Sequence, residues 1–338
     1  MWVITVPAIW DLRAKQFMRE CAKKAKIAHD QIMLALEPEA ASIHCRRVPV
    51  GVQTEGDGRK IIAAMAPGAQ FIVLDQGGGT TDIAIHEVTG ENTLKEVHQA
   101  CGGHWGGITV NKQTFYDYSL ENVIRELEKL LAKKELKDVQ TLLVVGGHSA
   151  STVLTEALKT KFPKIGMVIP KDPGLAVLKG AVLFGFDPGT ITSRVARFTY
   201  GIGTTRAFEK GDPESKKIIV DGVEKCKDVF DKHIEIGQIL EVGEDKYLQE
   251  HEYVPLYKDQ KSVDFIFYDT LNKSPKYVTD DGCRRIGSLH FKLTEQMTGK
   301  RTMALKINNS GTELVSLVTE IATKKQSKGY FRLPSDSN

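Results

Sequence analysis

The stretch Phe71-Ile72-Val73-Leu74-Asp75-Gln76-Gly77-Gly78-Gly79-Thr80-Thr81-Asp82-Ile83-Ala84-Ile85 holds the residues best suited to chemistry in this chain. A short, wholly apolar strand (71–74) runs into three successive glycines. Ile83 and Ile85 then alternate with Asp82, Ala84 and His86 as a returning strand. Consecutive glycines let the backbone bend where a Cβ would clash, so that several N–H groups bear on one point. A concave set of backbone donors binds phosphate oxygens. Gly77, Gly78 and Gly79 are the candidate amide donors, and Thr80 or Thr81 can add a hydroxyl. Asp75 and Asp82 stand at the two ends of the loop, close together across a hairpin. One carboxylate there can hold Mg²⁺ through water, since that ion keeps several of its waters. The other can orient or deprotonate an attacking water. The plain alternative is a glycine-bulged hairpin with two solvated aspartates. The full D-x-G-G-G-T-x-D between two apolar strands is far more specific than three glycines alone.

The flanking sequence supplies the elements that would position this loop. Residues 3–6 read as a strand. Asp11 can cap a helix with apolar positions Ala14, Phe17, Met18, Cys21, Ala22 and Ala25. The apolar run Ile32–Leu36 ends at Glu37-Pro38, where the proline suits a helix start, with the helix over 39–44. A strand over 94–100 ends at Gly102-Gly103. Val123, Ile124, Leu127, Leu130 and Leu131 form a helical stripe. Strand Thr141–Val145 leads to a Gly146-Gly147 turn, and Ser149 can cap a helix carrying Val153, Leu154, Ala157 and Leu158. A strand over 165–169 and an apolar helix over 174–184 follow. After Asp187-Pro188-Gly189 helical periodicity fades. Asp221-Gly222 is a hairpin signal, with strand candidates at 234–242, 263–268, 288–293, 302–307 and 314–320. The expectation is an α/β unit over 1–190, a β-rich domain over 191–332 and a disordered tail over 333–338.

The 338 residues carry a net charge of +3 from 46 basic and 43 acidic side chains. The basic residues fall in scattered pairs such as Lys23-Lys24 and Lys133-Lys134, which suits solvated faces and argues against a nucleic-acid groove. Cys21, Cys45, Cys101, Cys226 and Cys283 are odd in number and far apart, which fits a reducing, cytoplasmic setting. No apolar run is long enough to predict a membrane span, and residues 1–7 lack the pattern of a signal peptide. His98-x-x-Cys101-x-x-His104 offers three metal-type ligands with no fourth nearby, so a structural turn is favoured. Gly201-Ile202-Gly203 reads as a bulge or turn. Lys112, Arg125 and Lys129 read as a solvated helix face rather than nucleotide contacts.

The glycine loop resembles the second phosphate motif of the 70-kDa heat-shock and actin-like ATPases. Further matches follow in the same order. Residues 3–8 (Val-Ile-Thr-Val-Pro-Ala) and Leu36-Glu37-Pro38-Glu39-Ala40-Ala41 resemble the family's first connecting segment. Val144-Val145-Gly146-Gly147-His148-Ser149 resembles its adenosine motif, and Asp172-Pro173-Gly174 through Ala181 its second connecting helix. The segments 198–203 and 228–232 are similar to the divergent type-12 branch of these proteins. The resemblance implies partial actin-like, ribonuclease H-like lobes followed by a mostly β C-terminal domain. It implies ATP or ADP with Mg²⁺ as ligands in a chaperone-like protein. Asp75 would support Mg²⁺ and the attacking water, Asp82 would take up its proton, and Glu37 would help hold the metal's water. Gly77, Gly78, Gly79 and Thr80 would contact the β- and γ-phosphates, and Gly146, Gly147 and Ser149 would flank ribose and base. Gly174 would allow the two connecting helices to pack closely.

Two departures qualify that expectation. The family's first-lobe D-x-G-T loop has no counterpart in this sequence, nor does its first-lobe basic residue. Only about 35 residues separate Gly107 from Leu142, where the family inserts a longer helical subdomain. Each missing donor of the oxyanion type costs about 3–4 kcal/mol in a transition state, so weak ATP binding and impaired hydrolysis are expected. A clipped or partial chain is expected on the same grounds, leaving the edge of strand 3–6 uncovered. The alternative is a non-catalytic scaffold with a degenerate ATPase half, binding a protein partner through its β-rich domain. A sugar or acetate kinase of the same fold is disfavoured, since no sugar-binding motif is present.

Overall fold

The computed structural model describes residues 1–47, 66–107, 113–243, 250–294, 301–308 and 312–330. The chain divides into two compact units. The first comprises Met1–Asp11 and Cys21–Val195, the second Leu12–Glu20 and Ala196–Asn338. The tail and Lys112 lie outside the described residues. Among the described residues no helix is long and apolar enough to cross a membrane.

The first unit is built on a sheet of β3 (Gln70–Gln76), β4 (Thr81–Val88), β5 (Leu94–Gly103), β6 (Thr141–Val145), β7 (Gly166–Val168) and β8 (Ile191–Val195), in the order β8-β5-β4-β3-β6-β7. Strands β3, β4 and β5 form an antiparallel meander, and β6 and then β7 add on in parallel. A three-strand meander extended by parallel strands beside its first member is the ribonuclease H-like order of actin-like lobes. A separate parallel pair joins β1 (Trp2–Val6) to β2 (Ile32–Leu36).

Alternation in β3 and β4 splits the side chains between two faces. Ile72, Leu74, Ile83 and Ile85 pack with Leu142 and Val144 against Val123, Leu127 and Leu130 of α3 (Gln113–Leu131) and Leu154 and Leu158 of α4 (Thr152–Lys161). Burying each such side chain stabilises the fold by about 1.5–3 kcal/mol. The opposite faces of β3 and β4 meet α2 (Glu37–Arg47), whose Ser42 hydroxyl hydrogen-bonds His86 Nδ1 at 2.9 Å. Desolvation pushes the His86 ring down to about 4, so it stays neutral. Glu39 of α2 accepts two bonds from Arg194 of β8, at 2.6 and 2.7 Å, with both side chains almost wholly buried. Such a fork matches guanidinium to carboxylate and fixes orientation.

Helix α2 crosses α5 (Ala176–Phe186) with backbone against side-chain-free backbone. A Cβ built on Gly180 would stand 1.6 Å from the carbonyl oxygen of Ala40. Gly180, not Gly174, is thus the residue that lets the two connecting helices approach. Gly174 sits in a short 3₁₀ turn, and a Cβ there would meet Gly147 Cα at an ordinary 3.7 Å. The outward face of α5 leaves Leu178, Val182 and Phe186 exposed.

The second unit contains two antiparallel sheets. One has the order β10-β11-β9-β14-β15, from Lys217–Val220, Val223–Ile234, Thr199–Ala207, Ser262–Thr270 and Arg284–Lys292. The other has β13 (His251–Tyr253), β16 (Met303–Asn308), β17 (Val315–Glu320) and β18 (Gln326–Tyr330) in that order. Ile202, Phe265, Phe267, Leu289 and Phe291 of the first share one core with Met303, Leu305, Ile307 and Val318 of the second, giving a β-sandwich. The Asp221-Gly222 turn is as expected, with both residues at positive φ (50° and 78°) between β10 and β11. The candidate strand 234–242 is not one strand. The chain turns at Gly237 (φ 84°), whose N–H donates to Ala196 O, and β12 is only Ile239–Glu241. Gly201 and Gly203 lie inside strand β9 rather than in a turn; the irregularity is on the partner, at His233 of β11.

Candidate functional site

Asp75 and Asp82 are direct partners in the β3–β4 register, with Gln76 opposite Thr81 next to the turn. The turn closes with the Gly77 N–H donating to Thr80 O at 3.0 Å. Among the described residues the N–H groups of Gly78, Gly79 and Thr80 donate no hydrogen bond, and Gly78 and Gly79 are exposed. A Cβ on Gly79 would meet nothing within 4 Å. The turn therefore holds three consecutive amides that donate no hydrogen bond, on two exposed glycines and the half-buried Thr80, beside two buried acids.

This turn is held from behind by Trp105, Gly106 and Gly107, which follow strand β5. Gly106 N–H donates to Gly79 O at 3.3 Å and Gly107 N–H to Gly77 O at 3.0 Å. A Cβ on Gly106 would fall 2.5 Å from Gly78 O, so only glycine fits. Buried Gln76 links the two segments, donating to Trp105 O at 2.7 Å and accepting from the Thr81 hydroxyl at 2.9 Å. Thr81, expected as a possible ligand donor, is fully buried with its hydroxyl engaged in this way. Thr80 is the threonine left at the mouth of the turn.

The second glycine pair abuts the first. Gly146 has φ 92°, and a Cβ there would lie 2.4 Å from Asp75 Oδ1. His148 N–H donates to Gln76 O and Gly146 N–H to Pro173 O, each at 3.0 Å. Gly147 is exposed, with open space where a Cβ would be. Ser149 does not cap the helix; it is buried and its hydroxyl donates to Gly146 O at 2.7 Å. Ser151 is the cap, accepting from Leu154 N–H. Ser149 therefore shapes the glycine turn rather than facing a ligand with its hydroxyl.

Glu37 completes an acidic trio. It is the first residue of α2, where the helix dipole favours a carboxylate. Burial and the charges of Asp75 and Asp82 outweigh that help and push Glu37 up to about 8. Burial, then Asp82, push Asp75 up to about 7. Asp82 accepts the Ile9 N–H at 2.9 Å. Three acids that repel one another, gathered beside free amides, fit a hydrated Mg²⁺ between carboxylates and a polyphosphate. Such an ion would supply charge neutralisation there. The same pattern sets a pH dependence. Unfolded carboxylates titrate near 4, so between about pH 4 and 8 these two acids hold more protons in the folded chain than in the unfolded one. Their contribution to stability is fully present below that window and is lost as pH rises through it. Denaturant midpoints of the metal-free chain should decrease from about pH 6.5 to pH 8, above the range in which the buried histidines titrate when unfolded, and added Mg²⁺ should flatten the slope.

The other sequence candidates are not drawn together. His98 Nδ1 bonds to Gln99 O and its Nε2 to Lys133, away from any metal cluster. Arg125 bonds Asn122 and Lys129 pairs with Glu126, both along the α3 surface.

No family model matches the chain. Heat shock 70 kDa protein 12A of Mus musculus is 26% identical over 472 residues, covering 97% of this chain and 70% of that protein. The Homo sapiens 12A protein matches with the same identity and coverage. Heat shock 70 kDa protein 12B of Homo sapiens is 27% identical, covering 89% of this chain and 64% of its own length. The matched span exceeds the chain's 338 residues, so these relatives carry internal segments that this chain lacks. Two solved structures, a non-polymerisable ParM mutant and a ParM filament from Clostridium botulinum, are each 14% identical over 54% of the chain. Their TM-scores of 0.41 and 0.43 are too low to carry an argument. Along nearly its whole length the chain is thus similar to the type-12 branch of the 70-kDa heat-shock proteins.

Proposed function

We propose that the chain is a magnesium-dependent, ATP-binding, chaperone-like protein of the heat-shock 70 kind, acting in the cytoplasm, with impaired hydrolysis. The observation that carries this reading is the pairing of Asp75 with Asp82 at the foot of a turn in which the amides of exposed Gly78 and Gly79 and of half-buried Thr80 donate no hydrogen bond. In this reading Gly78, Gly79 and Thr80 hold the terminal phosphates. Asp75 and Glu37 hold Mg²⁺ through water, and Asp82 takes the proton of an attacking water. The open ledge at Gly147, bordered by Gly174, takes the nucleoside. The charges that raise Glu37 are those of Asp75 and Asp82, so part of the metal's charge would go to offset the acids, which suits slow turnover. The β-sandwich is the unit proposed to meet a protein partner.

Calorimetric titration of ATP–Mg²⁺ into the purified chain tests the proposal. Saturable heat is expected, lost when Mg²⁺ is chelated. Gly79→Val leaves the fold in place, since its side chain enters open space, and should weaken binding at least tenfold by filling the mouth of the turn. Heat indistinguishable from dilution for the unaltered chain would remove this reading and leave the scaffold alternative.

A further inference from the structure

A second cluster of donor groups lies in the β-sandwich unit. Asp231 and His233 come from β11, and His251 and Tyr253 from β13, one strand from each sheet. His233 is the extra residue where the β11–β9 register skips from Lys232↔Gly201 to Ile234↔Tyr200. Bulges of this kind re-aim a side chain. One ring nitrogen of each histidine and one oxygen of Asp231 all lie within 4.8 Å of one another. His251 Nδ1 is 3.0 Å from Asp231 Oδ2, and the Tyr253 hydroxyl donates to that same oxygen. His233 Nε2 is 2.8 Å from the Tyr253 hydroxyl oxygen.

The hydrogen bonds fix a tautomer. Tyr253 has one hydroxyl proton, and it goes to Asp231, so its oxygen accepts from His233 Nε2–H. A neutral His233 then carries its bare lone pair on Nδ1, which is buried and has no hydrogen-bond partner. A neutral imidazole with a bare ring nitrogen is competent as a metal ligand. A buried, unpartnered nitrogen in a polar cluster is the feature that a purely structural network leaves unexplained.

We propose that Asp231, His233 and His251, with the Tyr253 hydroxyl beside them, bind one divalent transition-metal ion of the zinc class. Two imidazoles and one carboxylate are the donor set such ions prefer, whereas Mg²⁺ favours oxygen alone. Metal–ligand bonds of about 2.0–2.2 Å place tetrahedral donors roughly 3.3 Å apart, within the spread seen here. The ion takes the position of the proton now shared by His251 and Asp231, and that proton leaves to solvent. The two rings are stacked at 3.9 Å and 24°, so loading turns the partly exposed His251 out of the stack. Its exposure gives the ion a way in.

The test is titration of Zn²⁺, and separately Co²⁺, into the full chain after chelator treatment and removal of any polyhistidine tag. One equivalent per chain is expected, with a visible Co²⁺ ligand-field band and a rise in Tm. His251→Gln and Asp231→Asn, both at partly exposed positions, should each weaken uptake by about 100-fold. Circular dichroism of each variant checks that it is folded. Asp75→Asn should keep the full equivalent, which separates this site from the glycine-loop acids. Uptake that is absent from the unaltered chain, or equal in it and in both folded variants, overturns the proposal.

Discussion

Replacing Asp75 with asparagine is expected to abolish magnesium-dependent ATP binding while making the empty protein more stable above about pH 7. The two effects share one cause. Asp75 is almost wholly buried, faces Asp82 across the strand pair and adds its charge to that felt by Glu37. With no cation present that arrangement is repulsive, and the carboxyl holds a proton until about pH 7. Asparagine keeps the shape and removes the charge, so the alkaline penalty on folding shrinks, by an amount on the order of 4 kcal/mol. The same change removes a ligand for the metal's waters. Affinity for ATP–Mg²⁺ should fall about 100-fold or more, roughly 2.7 kcal/mol. Function obtained at a cost in stability is a recurrent signature of active sites. Denaturant unfolding at about pH 6 and pH 8, paired with calorimetric titration, reads both arms. A variant that bound ATP–Mg²⁺ like the parent, or that lost stability at the higher pH, would contradict the account.

Gly180→Val is expected to be the more damaging substitution for the fold. Its first side-chain carbon would stand 1.6 Å from Ala40 O, with Ala40 C at 2.3 Å. Neither neighbour is a flexible side chain, so α2 and α5 must separate. The cost should exceed about 4 kcal/mol, beyond the usual range for overpacking. Because α2 also carries Glu37, the acidic trio should come apart, and any nucleotide binding should be lost with it. Gly174→Ala provides the contrast. Its new carbon meets Gly147 at ordinary contact distance, and less than about 1 kcal/mol should be lost. Equal destabilisation by the two substitutions, measured by urea unfolding, would show that the helix crossing has been misread.

That contrast marks the limit of what the sequence disclosed. The D-x-G-G-G-T-x-D run between apolar strands located the turn and paired its acids, because strand alternation and glycine content are local signals. Which glycine separates two helices is a matter of crossing geometry, and nothing local distinguishes Gly174 from Gly180. The Ser149-Ala150-Ser151 run allows either serine to start the helix. The turn at Gly146 decides it by drawing Ser149 inward. Gly106 and Gly107 were visible as glycines, but their role depends on a contact with a loop nearly thirty positions away in sequence. In the β-sandwich several strands went unread. Thr199–Ala207 and Gln326–Tyr330 are rich in small and polar residues and lack a clean period-two pattern. The Asp231, His233, His251 and Tyr253 cluster is likewise assembled from two strands of different sheets, so no spacing rule would reveal it.

The crossing at Ala40 and Gly180 has a mechanical consequence. Two helices that touch through main-chain atoms have no layer of rotamers between them to absorb displacement. A ligand that shifts the start of α2 by drawing on Glu37 must carry α5 along with it, undamped. The exposed residues Leu178, Val182 and Phe186 ride on that second helix. On the proposed reading, an occupant of the acidic trio would thereby be coupled, like a rod to a crank, to where an apolar surface stands.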